Sequence, residues 1–193
     1  MNPHSILVEG STDKKILQKA LNIKGLKTYG ITNGHGSNID TVASKLNDTD
    51  ISLLVIVDDD KDGREYKERI KKIGGSYSAD NVLTIRDLVG SIVEKGTIED
   101  ALSVAFLESK VHEVYDSFFA GEEYDLSLDS SKPSMEQLRV QLNQKRKTKK
   151  VIDQFLEELK IKLSDEFNPT RPSFASNFSL LDSLVDAIQT KLI

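Results

Sequence analysis

Val57-Asp58-Asp59-Asp60-Lys61-Asp62-Gly63 decides how this chain is read. The run before it, Ile51-Ser-Leu-Leu-Val-Ile-Val57, is almost wholly apolar and predicts a strand buried on both faces, as in a parallel sheet. The charged segment 64–73 after it predicts a helix that Gly74-Gly75 stops. Asp58, Asp60 and Asp62 thus fall where a strand ends, and Gly63 lets the chain turn into the helix. Side chains alternate along extended backbone, so Asp58 and Asp60 point the same way. An aspartate at such a turn also has an ordinary role, as the cap of the next helix.

A second strand-end acid lies upstream in Ile6-Leu-Val-Glu9-Gly10, closing a strand predicted over 5–9. Carboxylates gathered at neighbouring strand ends repel one another unless a divalent cation shares them. Hard oxygen ligands suit Mg2+ or Mn2+. Such an ion polarises a phosphoryl oxygen or activates water, so Glu9, Asp58 and Asp60 point to phosphodiester chemistry.

The flanking sequence supplies the frame. A helix is expected from Ser11-Thr12-Asp13 through Ile16, Leu17, Ala20 and Leu21, then a weaker strand over 27–32. A loop at Asn33–Asn38, a helix carrying Ile39, Val42, Ala43 and Leu46, and a short strand over 81–85 complete an alternating series. That alternation is the mark of a parallel α/β sheet, whose ligands gather at the carboxyl ends of its strands. Beyond residue 96 strand signals vanish. Thr97 is expected to cap a helix through Phe106, a second helix spans 109–119, and Ser134-Met-Glu-Gln137 reads as a capping box. Further helices are expected along Val151, Phe155, Leu156, Leu159 and Leu163, and over 176–191. The expected architecture is a Rossmann-like parallel sheet flanked by helices, residues 1–100, with an α-helical C-terminal extension, residues 101–193.

Composition narrows the function. The chain has 193 residues, 38% hydrophobic and 30% charged, which suits a soluble globular protein. A net charge of −5 shows no overall basic character, yet acids grouped at a metal site depress that figure while a local basic patch still meets phosphate. There are no cysteines, which excludes disulfides and thiolate zinc sites. No apolar run approaches the ~20 residues of a membrane helix, and no leader is legible, so a cytoplasmic location is the expectation.

Val8-Glu9-Gly10 after a first strand, followed by Asp58-x-Asp60-x-Asp62-Gly63 after a later one, resembles the TOPRIM domain. That fold is shared by topoisomerases, bacterial primases, recombination mediators and OLD-family (overcoming-lysogenization-defect) nucleases. The resemblance covers about residues 5–100. It implies that Glu9, Asp58 and Asp60 hold the divalent metal, with Asp62 matching the third acid of type II topoisomerases. Val8-Glu-Gly-Ser-Thr-Asp13 is similar to the opening of OLD-type nucleases and of ribosomal-RNA maturation nucleases; Asp13 serves there either the metal site or its own helix start. Gly96-Thr-Ile-Glu99-Asp100 resembles the late acidic motif of OLD-type nucleases, and Glu99 is either a ligand of a second ion or a capping acid.

The resemblance implies a metal-dependent nuclease with DNA as favoured substrate and a role in defence against phage. Glu9, Asp13, Asp58, Asp60 and Glu99 would act in catalysis, with Asp62 assisting the metal. A ribosomal-RNA maturation ribonuclease and a non-catalytic binding module are the alternatives. No GxxxxGK[ST] motif is present, so a separate ATPase is an expected partner beside nucleic acid, with a homo-oligomer also compatible and no membrane expected. The cleavage tyrosine and cysteine zinc module of topoisomerases and primases are not found. Lys145–Lys150 reads either as a phosphate track or as a solvated junction. His35 reads either as a contact to a leaving group or as a surface histidine, and Lys61, Arg64, Arg86 and Lys95 are further candidates to meet phosphate, Lys61 and Arg64 with an ion-pair reading beside it.

Overall fold

In the computed structural model, which describes residues 4–26, 30–47, 49 and 51–192, four strands form one all-parallel sheet. The elements alternate: β1 (His4–Val8), α1 (Ser11–Ile23), β2 (Gly30–Asn33), α2 (Ile39–Leu46), β3 (Ser52–Val57), α3 (Lys61–Lys71), β4 (Val82–Thr84) and the short α4 (Ile85–Leu88). Residues 27–29 of the expected second strand lie outside the described residues, and β2 begins at Gly30. The sheet order is β2-β1-β3-β4, with Val8 opposite Ile56 in the central pair.

The apolar runs are explained by layers on both faces. Leu7, Val55 and Val57 pack with Ile39, Ala43 and Ile70 of α2 and α3, and with Tyr77 and Val82. Ile6, Val8, Leu54 and Ile56 face the other way, onto Ile16, Leu17, Ala20 and Leu21 of α1 and a core that continues through the C-terminal helices. Tyr77 puts its ring in the first layer and donates its hydroxyl to the Ala43 carbonyl at 2.6 Å. Tyr77→Phe removes that bond and leaves the Ala43 carbonyl with only the Asn47 N–H, and a loss of about 1 kcal/mol in urea denaturation is expected.

The C-terminal half is helical: a 3-10 turn at Ile98–Ala101, then α5 (Val104–Phe118), α6 (Ser134–Gln144), α7 (Lys149–Glu166), α8 (Arg171–Asn177) and α9 (Ser179–Leu192). α7 and α9 pack on α1, and α9 also reaches β3. Three local expectations are corrected. The helix foreseen from Thr97 through Phe106 is broken at Leu102, because the Ser103 side chain caps α5 by accepting from Phe106 N–H. Ser134 is not a cap: Pro133 holds that position, and Ser134 N–H donates to the Asp100 carboxylate at 2.8 Å. The segment foreseen as one helix over 176–191 is divided between α8 and α9 at Phe178. The basic run forms the α6–α7 turn, where Lys145 pairs with Asp125 and Lys147 with Glu122. Among the described residues no helix is long and apolar enough to cross a membrane.

Candidate active site

The order β2-β1-β3-β4 reverses direction at the β1–β3 pair, so a crevice opens at the carboxyl ends of those two strands. Glu9 leaves β1 there and Asp58 leaves β3. Asp58 is buried and accepts from Ile98 N–H at 3.0 Å. Asp59, one residue on, faces away, as alternation requires, and takes a bidentate pair from Arg64. Its other contacts stitch in a distant loop: Lys95 N–H donates to Asp59 at 2.9 Å, and Asp59 N–H donates to the Gly96 carbonyl at 2.9 Å. These bonds bring Glu99, wholly buried, to the same crevice.

Two of the acids stand at helix starts, the ordinary role foreseen for them. Asp60 is the N-cap of α3, accepting from Gly63 N–H at 2.8 Å. Asp13 accepts from Gly10 N–H at 2.7 Å at the start of α1, yet it is buried against the cluster. Gly63 is required by close approach: a β-carbon there would stand 2.2 Å from the Asp58 carbonyl oxygen. Asp62 is exposed on the cleft wall and stands apart from the buried acids.

The electrostatics show how tightly the rest are gathered. Burial, followed by repulsion from Asp13 and Asp60, pushes the Glu9 carboxyl up to about 7. Burial and then Glu99 push Asp13 up to about 6. Asp58 is held well above its ordinary value by burial, with Asp13 the foremost of its acidic neighbours. The group that opposes all three is Lys160, on α7. Its Nζ lies 3.5 Å from Glu99 Oε1, and Glu99 with Asp58, Asp13 and Glu9 holds the ammonium far above the usual lysine range. Sequence reading missed Lys160. The available signal was a lysine set among Leu156, Leu159 and Leu163, on the stripe that buries α7.

Oxygen donors of the kind a hard divalent cation takes are therefore present, and Glu9 Oε2 is buried without a hydrogen-bond partner. The donor set fits such an ion in kind. It is not a ready-made cage: among the described residues no group of three His, Cys, Asp or Glu side chains stands so as to hold a metal. Above the acids lies a cleft of about 940 Å³. One wall is the sheet edge with Gly10, His35, Asp60 and Lys95; the other is α6 and α7 with Arg139, Lys160 and Ile161. Of the other cations foreseen near phosphate, Arg64 is taken by Asp59 and Arg86 lies 3.6 Å from Glu94, while Lys61 is exposed on the cleft wall.

No family model matches the chain. No curated protein matches it. Solved structures do: the C-terminal region of the Xanthomonas campestris pv. campestris OLD protein matches as phased with platinum, at 15% identity and a TM-score of 0.52, and as phased with mercury, at 13% and 0.51. Each match covers 98% of this chain, and 93% and 96% of the other respectively. The chain thus has the fold of the C-terminal region of the Xanthomonas campestris OLD protein over nearly its whole length.

Proposed function

We propose that the protein is a metal-dependent nuclease of TOPRIM type, with DNA the favoured substrate and defence against phage its setting. The observation that carries the reading is the convergence of Glu9, Asp13, Asp58 and Glu99 on one crevice, where burial and acidic neighbours raise the carboxyls of Glu9, Asp13 and Asp58 and Lys160 lies 3.5 Å from Glu99. Glu9, Asp58 and Asp60 would hold a first Mg2+ or Mn2+, and Asp13 and Glu99 a second, with Asp62 at the mouth. The bound ion supplies Lewis-acid activation of water and charge neutralisation at the scissile phosphate. The chain's own residues do the rest. The Asp58–Ile98 and Asp59–Lys95 bonds fix the two acidic loops to each other. Lys160, which borders the cleft, offers a fixed cation where phosphate charge would develop.

One observation favours a second reading. The Lys160 ammonium already supplies a counter-charge to the acids, and no cage is preformed, as in a binding module that has dispensed with metal. Cleavage assays on DNA and RNA with Mg2+, Mn2+ or EDTA separate the two. The expected result is metal-dependent cleavage, reduced at least 1,000-fold in both Glu9→Ala and Asp58→Ala. Cleavage that survives EDTA and both substitutions would sink the nuclease site drawn here, and binding without cleavage in every condition would favour the module.

A further inference from the structure

We infer that His35 and Lys95 are two phosphate contacts along the sheet-edge wall of the cleft, seating one nucleic-acid strand across the acid cluster; this rests on the nuclease reading. Among the described residues three that are not glycine have φ in the left-handed region: His35 at 58°, Lys95 at 62° and Arg146 at 59°. Arg146 has a local reason. It stops α6, donating its N–H to Asn143, while Lys147 N–H donates to Leu142. The other two both line the cleft.

Glycine suits such a backbone best, and lysine suits it less well than asparagine or histidine. Both side chains are exposed, and neither makes a hydrogen bond or ion pair among the described residues, so no side-chain contact offsets the strain. Nor can the backbone relax. Gly34 and Gly36, on either side of His35, donate to the carbonyls of Val8 and Glu9 at 2.7 and 2.9 Å. Lys95 is the third residue of a turn closed by Gly96 N–H to Val93 O at 3.0 Å, and its own N–H is tied to Asp59. The backbone is therefore held at both residues, His35 following the exit of β2 and Lys95 bonded to Asp59 just past the exit of β3, the strands on either side of β1. Glu9 lies between them. Much of the remaining lining is acidic, including Asp62, Glu136, Asp153 and Glu157, and Arg139 is engaged by Asp153 at 2.6 Å. Donors held at strained positions on both sides of the acids are what a phosphate backbone crossing them needs.

The test is binding of a short fluorescent single-stranded DNA in Ca2+, which supports binding while slowing turnover, alongside thermal melting. His35→Gly and Lys95→Gly should each raise Kd about 10-fold, and the double variant about 100-fold, since the sites are separate. Lys95→Gly should also lower the salt dependence by about 0.7 in the slope of log K against log salt. Tm should rise in each glycine variant, because the backbone strain is relieved. A purely structural turn residue would give the Tm change without the Kd change, and that result overturns the inference. Should glycine loosen a loop, His35→Asn and Lys95→Asn decide: raised Kd at parental Tm supports the contact, parental Kd refutes it. Failure of the parent to bind any strand overturns the nuclease reading as well. Cleavage that depends on Glu9 and Asp58, with Kd unmoved by substitution of His35 or Lys95, overturns this inference alone.

Discussion

Lys160→Met is expected to remove about 3–5 kcal/mol of stability at neutral pH in EDTA, because it leaves buried carboxylates without their counter-charge. The effect should be strongly pH-dependent, and its direction follows from the shifts. Glu9 sits near 7 and Asp13 near 6 in the fold, both above their ordinary carboxylate values. The folded state therefore binds protons more tightly than the unfolded chain. That contribution is complete below the ordinary carboxylate range and is lost as pH rises through about 6 to 7. The parent in EDTA should accordingly lose stability between about pH 4.5 and pH 7. Lys160→Met should lose more over the same window, because the remaining brake on those carboxyls is gone. At about pH 4.5 the variant and parent should converge. Urea denaturation at both pH values measures this, and equal midpoints at neutral pH would show that Lys160 is no counter-charge. Mn2+ should restore most of the variant's loss, since a divalent ion favours the ionised acids that methionine leaves exposed to one another.

Gly63→Ala is expected to cost about 3 kcal/mol and to abolish Mn2+ binding in calorimetric titration. The added carbon would meet the Asp58 carbonyl oxygen at 2.2 Å, its carbonyl carbon at 2.8 Å and its nitrogen at 3.0 Å. These are backbone atoms at the end of a central strand, and a flexible side chain is not there to yield. The first turn of α3 must swing out instead, breaking the Gly63–Asp60 cap and dragging Asp58 off Ile98. Gly90→Ala, where an added carbon meets nothing within 4 Å, is the matched control and should stay within about 0.5 kcal/mol of the parent. Parental Mn2+ binding in Gly63→Ala would mean that the metal does not depend on this turn.

The sheet was legible because its strands are continuous apolar runs, and each acid that ends one was legible with it. Glu9 and Asp58 needed only the rule that ligands gather at the carboxyl ends of parallel strands. Glu99 was reached through a resemblance, since nothing in a 3-10 turn announces that the Ile98 N–H bond to Asp58 and the Asp59 N–H bond to Gly96 will draw it inward. Asp60 and Asp13 were each given two readings, metal and cap, and one carboxylate proves able to stand at a helix start and beside the cluster at once. Lys160 was illegible for a different reason. It lies more than 60 residues from the nearest of the acids, on a helix whose periodicity says only which face is buried. What that face meets is a tertiary fact. The break at Leu102 and Ser103 is similar: apolar spacing runs straight through it, and only the side-chain cap tells.

The core that runs unbroken from β1 to α9 has a consequence for how this protein can change over time. Leu17 and Leu21, on α1, share their dry surroundings with Leu184 and Ile188, which lie more than 160 residues later. A lineage cannot exchange its tail as a cassette without exchanging the surface beneath it. Even the span between α5 and α6 is tied in, by Leu126 in the core and by Glu122 and Asp125 on Lys147 and Lys145, so the two ends of the polypeptide must drift together.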